Sequence, residues 1–266
     1  MINISAAIIT LNEEARIDRC LSSLSFCDEI VLVDSGSTDD TRAIAREYTD
    51  RIYVNEFKGD GWQKNNAVSK TRGRWVFLID ADEVVPPALS AEILNTVNEY
   101  GDSPSLFTTD ADRPAKPVAW EIPRRNYVGD IWVKHGGWFP DYQTRLWLKG
   151  KARNAEVKVH SGLIVDGSLG RLTEPLDHYT HDSLENYRSR MISYAAGRAE
   201  DYLAQGRRAG PWSPFLHQTW AFFRAYLLRA GFRDGVLGWR LALTRSVYTK
   251  LKYQNLRSLQ HRSIPE

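Results

Sequence analysis

The chain has 266 residues, enough to bury a full-sized core without disulfide or metal staples. Hydrophobic residues make up 42% and charged residues 26%, which excludes an intrinsically disordered chain. The formal charge of +2 conceals a split: Pro211 to Arg262 holds nine Arg and Lys against Asp234 alone, a net +8 that leaves the rest at −6. A basic module therefore follows a mildly acidic body.

The opening run Ile4 to Thr10 lacks a basic leader and a small-residue cleavage site, so it reads as a strand and not a secretory signal. No segment reaches the roughly 20 uninterrupted apolar residues of a membrane span; even Phe215 to Leu228 is broken by His217, Gln218 and Arg224. Cys20 and Cys27 lack metal-ligand or redox spacing and read as reduced side chains of a cytosolic protein.

In chain order, Ser5–Thr10, Glu29–Asp34 and Arg51–Asn55 read as strands alternating with helices over Glu14–Leu24 and Asp39–Tyr48, a βαβαβ rhythm. The strands, including Trp75–Ile79, are continuous apolar runs, as a mostly parallel sheet covered on both faces by helices requires. Ser37-Thr-Asp-Asp40 caps the second helix, and Pro86-Pro87 opens another over Ala88–Tyr100. Residues 101–119 read as an irregular connection. Trp120–Val128, Gln143–Leu148 and Leu163–Val165 follow as strands, then a helix from Ser183 to Gln205 and an aromatic, basic helical appendage.

Polar residues gather just past the strands' C-terminal ends: Thr10, Asn12 and Glu13; Asp34, Ser35, Gly36 and Ser37; Asp80, Ala81, Asp82 and Glu83. In open α/β sheets that edge binds ligands, so three clusters there indicate one site. Carboxylates two apart, as in Asp80 and Asp82, suit a hard divalent cation such as Mg²⁺ or Mn²⁺. The alternative for the tract alone is a solvated acidic turn, and for the other clusters a turn with a helix cap.

Thr10-Leu-Asn-Glu13, Val33-Asp-Ser-Gly-Ser-Thr-Asp39, Gln63-Lys64-Asn65 and Leu78-Ile-Asp-Ala-Asp-Glu83 together resemble the core of inverting glycosyltransferase family 2. The resemblance implies a GT-A fold, a nucleoside diphosphate sugar donor, UDP-linked in most members, and a metal held by Asp80 and Asp82. It sets Glu13 and Asp34 toward the base and ribose and Lys64, with Asn65 beside it, toward the nucleotide. Farther on, Arg124-Arg-Asn126, His135-Gly-Gly-Trp-Phe-Pro-Asp-Tyr-Gln143, Arg145-Leu146, His178-Tyr179 and Leu228-Arg-Ala-Gly-Phe-Arg-Asp-Gly235 resemble a subgroup of lipopolysaccharide-core glucosyltransferases. By that likeness His178 is a third metal ligand; otherwise it is a histidine bonded to backbone. Arg124 and Arg125 meet phosphate or line a solvated strand edge.

The resemblance breaks at Ser161, where the subgroup carries a glutamate suited to be the general base. Serine cannot take the acceptor's proton alone, which leaves Asp141, Glu156 and His160 as candidates, Asp141 first. The boundaries expected are a glycosyltransferase domain over 1–206, with a donor half to about 100, and a tail over 207–266. The tail's aromatics and arginines suit an anionic membrane surface; they also suit packing on the core, and nucleic acid ranks last. The function expected is inverting transfer of a hexose, glucose from UDP-glucose, to a lipopolysaccharide-core or other lipid-linked acceptor at the inner face of the bacterial inner membrane. Alternatives are the same donor chemistry on a polysaccharide repeat or protein glycan, and a non-catalytic nucleotide-sugar or membrane scaffold.

Overall fold

A computed structural model describes residues 3–101, 116–155 and 162–262 of the chain. They form two compact units, Met1–Arg124 with Tyr142–His178, and Arg125–Asp141 with Tyr179–Glu266.

The strands are β1 (Ile4–Thr10), β2 (Glu29–Asp34), β3 (Ile52–Val54), β4 (Trp75–Asp80), β5 (Glu83–Val84), β6 (Ala119–Val128), β7 (Ile131–Trp132), β8 (Asp141–Leu148), β9 (Ala152–Asn154), β10 (Leu163–Val165), β11 (Leu169–Arg171) and β12 (Leu176–His181), all but β9 and β10 in one sheet. The strand order is β3-β2-β1-β4-β8-β6-β12-β5. The first four are parallel, β8 runs antiparallel to β4, and β12 antiparallel to β5. β9 and β10 form a separate two-stranded ribbon.

Why the parallel strands are apolar throughout follows from what covers them. Successive side chains on a strand point to opposite faces. Ile4, Ala6, Ile8, Phe77 and Ile79 pack with Ile17 and Leu21 of α1 (Ile17–Ser22), Ala45 of α2 (Thr41–Ala45) and residues from 87 onward. The intervening Ala7, Val33, Val76 and Leu78 pack instead with Ala67 of α3 (Asp60–Lys70) and Trp147. The helix expected over Ala88–Tyr100 is α4 (Pro87–Gly101), which adds Leu89, Ile93 and Val97 to the first cluster. Both faces of the parallel strands are thereby buried.

The second unit contains α5 (Leu184–Ala204), α6 (Ser213–Phe223), a π-helical segment (Arg224–Leu228), a 3-10 turn (Gly231–Asp234) and α7 (Gly235–Arg262). Ser183 caps α5, its hydroxyl accepting from the Asn186 amide at 3.1 Å. Val128, Val133, Tyr187 and Leu241 make this unit's core, with Trp138, Leu184, Met191 and Leu237 around them. Lys252 donates to the Tyr202 hydroxyl at 3.1 Å and the Ala209 amide to Gln260 at 3.2 Å, so α7 is joined to α5 and its exit. The compact unit accordingly takes in 125–141 and 179–206 as well. Of its aromatics, Phe222 and Tyr226 stack at 5.3 Å and Trp239 meets both edge-on at 5.0–5.2 Å, while Trp212, Phe215 and Trp220 are exposed. No helix among the described residues is long and apolar enough to cross a membrane.

Candidate active site

Strand register brings the three polar clusters together. Thr10 lies opposite Asp34 and Ile9 opposite Asp80, so β1, β2 and β4 end level with one another. The clusters seen in sequence thus share one edge of one sheet.

The turn after β2 is organised by Asp34. Its buried carboxylate accepts from the backbone amides of Gly36 (3.0 Å) and Ser37 (2.9 Å) and from the Ser37 hydroxyl. Gly36 takes φ +97°, a left-handed conformation that glycine tolerates best. The loop after β1 is tied to this turn: the Asn12 amide donates to Ser37 Oγ at 2.8 Å, Asn12 Oδ1 accepts from the Thr38 amide at 2.9 Å, and the Glu13 amide donates to Thr41 Oγ1 at 2.8 Å. Glu13 itself accepts from Arg16 at 2.9 Å. Gln63 of α3 donates to Ser35 Oγ at 3.0 Å. Two buried atoms in this region, Thr10 Oγ1 and Gln63 Oε1, have no hydrogen-bond partner among the described residues. Buried polar atoms are rarely left so without a role.

The acidic tract after β4 holds three carboxylates in different settings. Glu83 is fully buried and accepts from Arg145 and, at 3.2 Å, from Arg124. It also reaches back to the Asp80 amide at 3.0 Å, closing the turn. Asp80 pairs with Arg145 and lies 3.5 Å from Lys64, which also contacts Asp60 at 3.2 Å. Burial alone would raise the Asp80 pKa, but Arg145, then Lys64 and Arg124, hold it well below the usual carboxylate range. Burial works likewise against the Arg145 charge, yet Asp80 and Glu83 keep it firmly cationic. Asp82 faces elsewhere: its Oδ2 lies 3.4 Å from His178 Nε2. β12 delivers that histidine, because His178 is in register with Glu83 across the β5–β12 pair.

Not every expected residue joins this group. Asn65, expected near the nucleotide, holds β9 instead: its amide donates to the Asn154 carbonyl at 2.9 Å and accepts from the Asn154 backbone N–H at 2.8 Å. Arg124 meets Glu83, and Arg125 lies over the Trp132 ring at 5.6 Å, so in the protein alone both have partners of their own. Among the described residues no three His, Cys, Asp or Glu side chains converge as a complete metal cluster. Asp82 and His178 meet, while the Asp80 side chain is drawn to Arg145 and Lys64. In the second unit, Asp141 Oδ2 is 3.4 Å from the Asn126 amide nitrogen. Glu156, His160 and Ser161 lie outside the described residues. Cys20 is buried beneath the tract, its thiol 3.6 Å from the Asp80 carbonyl, and Cys27 is also a free thiol. Burial, then Glu83, Asp82 and Asp80, push the Cys20 pKa well up, which disfavours the thiolate.

Sequence reasoning missed Arg145 as the cation of the acidic tract and Glu83 as its buried anchor. An arginine in the middle of an apolar strand, Thr144-Arg145-Leu146-Trp147, was the available signal, because a buried guanidinium needs carboxylates.

Residues 5–232 match the family model described as glycosyl transferase family 2. The lipopolysaccharide core biosynthesis glycosyltransferase LpsC of Rhizobium meliloti is 31% identical over 260 residues, covering 93% of this chain and 89% of that protein. An uncharacterized glycosyltransferase of Rickettsia prowazekii, RP128, is 30% identical over 99% of this chain and 89% of its own length. Among solved structures, S. aureus TarS 1–349 in complex with UDP aligns at a TM-score of 0.48 and 15% identity, over 98% of this chain and 92% of that one. With a family model spanning most of the chain and relatives aligned nearly end to end, this protein belongs to glycosyl transferase family 2.

Proposed function

We propose that this glycosyltransferase moves a hexose, glucose from UDP-glucose, with inversion onto a lipopolysaccharide-core or other lipid-linked acceptor at the inner face of the bacterial inner membrane. The observation that carries the donor reading is the strand register that sets the Thr10, Asp34 and Asp80 clusters on one sheet edge, with Asp82 against His178. In this reading Glu13 and the Asp34 turn (Ser35, Gly36 and Ser37) hold the base and ribose. Lys64, no longer needed by Asp80 once other charges enter the site, turns to the diphosphate.

A divalent cation fits the donor set. A carboxylate oxygen and an imidazole nitrogen 3.4 Å apart are suitable ligands for Mn²⁺ or Mg²⁺, and such ions take their remaining ligands from substrate phosphates and water. Asp82 and His178 would hold it, with Asp80 beside them. Bound there, it supplies charge neutralisation for the departing nucleoside diphosphate. The chain's own part is to orient the donor through the two linked loops and to keep Asp80 ionised through Arg145. The acceptor hydroxyl's proton goes to one of the candidate bases Asp141, Glu156 and His160, Asp141 first.

The acceptor class rests on the likeness to LpsC, and the membrane location on the exposed aromatic and basic surface of the second unit. UDP release from UDP-glucose, measured with and without Mn²⁺, tests the donor half. Asp82→Ala is expected to lower the metal-dependent rate by about two orders of magnitude, as removal of a transition-state charge stabiliser does. A variant that releases UDP as fast as the parent, or a parent indifferent to metal, would overturn it.

A further inference from the structure

Within the helical unit, α6, the π-helical segment and α7 line a solvent-open pocket of about 170 Å³. Since a water molecule takes about 30 Å³ of liquid, this is room for several waters or a small polyatomic ion. Its polar lining is cationic. Arg224, Arg229, Arg245 and Lys252 face it together with His217 and Trp220, and no Asp or Glu lines it.

Among the described residues none of the four forms an ion pair with a carboxylate. The nearby Asp234 has both oxygens engaged by His135, at 2.8 Å from its backbone N–H and 2.7 Å from Nδ1. Asp201 is paired with Arg198 at 3.2 Å. Lys252 is buried, with its Nζ bonded to the Tyr202 hydroxyl and lying 4.4–5.6 Å from the ring centres of Tyr202, Tyr253 and Tyr248. Burial, then the neighbouring charges of Arg224 and Arg245, lower the Arg229 pKa, which is the mark of like charges crowded together. The crowding is fixed by the backbone. Gly137, at φ +86°, has Arg229 lying where a Cβ would be, with Nη1 only 2.1 Å from that position, so a side chain there would displace the guanidinium. Arg224 opens the π-helical segment, a rare geometry concentrated at functional sites.

Three guanidiniums, Arg224 exposed and Arg229 and Arg245 half-buried, and the buried Lys252 ammonium converge on one pocket, which makes it a receptor for a compact polyanion. Guanidinium forks match phosphate oxygens two at a time, and a phosphoryl group presents several acceptors to be shared among them. We infer that this cavity is a phosphoryl-binding site, taking a phosphomonoester or diphosphate. Two sources carry that chemistry: an anionic lipid headgroup and a soluble phosphate ester. The first suits the exposed Trp220 and Phe223 on α6, which would lie along the lipid of an amphiphile whose phosphate is in the cavity.

The test uses the full chain. Thermal melts are run in phosphate, in pyrophosphate and in chloride at matched ionic strength. Vesicle binding is measured on phosphatidylcholine carrying phosphatidic acid or, at equal surface charge, a fatty-acid carboxylate. Arg245→Met and Lys252→Met are compared with Arg240→Gln, an exposed arginine of the same helix that does not line the cavity. The expected result is a higher melting temperature in phosphate than in chloride, and about tenfold weaker binding of the phosphorylated ligand by each cavity variant but not by Arg240→Gln. Preference for phosphatidic acid over carboxylate vesicles assigns the lipid source. Stabilisation by soluble phosphates without vesicle preference assigns the ester. Equal behaviour in phosphate and chloride, with Arg240→Gln losing as much as the cavity variants, overturns the site in favour of diffuse surface charge. Should a variant fail to fold, the wild-type comparisons still decide. Only the lipid arm rests on the membrane reading above, and none rests on sugar transfer.

Discussion

Arg145 is the residue on which the acidic tract depends. It neutralises both Asp80 and Glu83 in a buried setting, and removing one partner from such a network leaves uncompensated charge. Arg145→Met is therefore expected to destabilise the protein by about 3–5 kcal/mol in urea unfolding. The same contact has a pH signature. Because the folded state holds the Asp80 pKa below its unfolded value, this contribution is complete above about pH 4 and is lost as the pH falls below it. Urea midpoints between about pH 2 and 6 should show that acid-side loss in the parent and a shallower one in Arg145→Met. Thr10 gives the opposite case. Its buried hydroxyl has no partner among the described residues, so Thr10→Val should leave the free protein as stable or about 1 kcal/mol more stable. If the donor supplies the missing partner, the thermal shift produced by UDP should shrink in the variant. An undiminished shift would remove Thr10 from the site.

At the scale of elements, the parallel strands were legible because burial on both faces admits only one kind of residue, and Ile30-Val-Leu-Val33 or Trp75-Val-Phe-Leu-Ile79 are hard to read otherwise. The clusters at their ends followed, since connections in such sheets return the chain to the same edge. α3 was not legible. Asp60-Gly-Trp-Gln-Lys-Asn-Asn66 is poor in helix formers, and it is held by tertiary contacts: Gln63 on Ser35, Ala67 in the core and Asn65 on Asn154. That placement also gives Asn65 its bonds to the Asn154 backbone. Asn65→Ala would leave the Asn154 backbone groups without those bonds, at a cost of about 1–3 kcal/mol in urea unfolding. β12 was equally hidden, since Leu176-Asp-His-Tyr-Thr-His181 has no apolar run, yet it brings His178 to Asp82. His178→Ala is expected to raise the Mn²⁺ concentration for half-maximal UDP release about tenfold or more, with less change at saturating metal. An unchanged metal dependence would return His178 to a purely structural role.

At the scale of the whole molecule, the charge division visible in the sequence sets a basic, aromatic surface on the helical unit. What sequence alone could not resolve was which aromatics are partly covered, because that depends on Phe222 and Tyr226 stacking and on Trp239, itself still exposed, meeting both edge-on across α6, the π-helical segment and α7. The ones left exposed, Trp212 at 73% and Phe215 at 63%, bury little in the protein and have the most to gain from an interface. If they enter a lipid surface, two kinds of energy hold the protein there and they separate experimentally. Each basic residue near an anionic surface contributes about 1 kcal/mol, a term that weakens as salt shortens the Debye length. Each large apolar side chain removed from water contributes about 1.5–3 kcal/mol, and salt leaves that term in place. Sedimentation with vesicles containing phosphatidylglycerol should therefore fall steeply as salt rises but retain a residual fraction. Trp212→Ser with Phe215→Ser should abolish that residual fraction while leaving the melting temperature unchanged, because the two side chains are solvated in the free protein. Binding that vanishes with salt in the parent would show adsorption by charge alone, and the aromatics would then belong to some other contact.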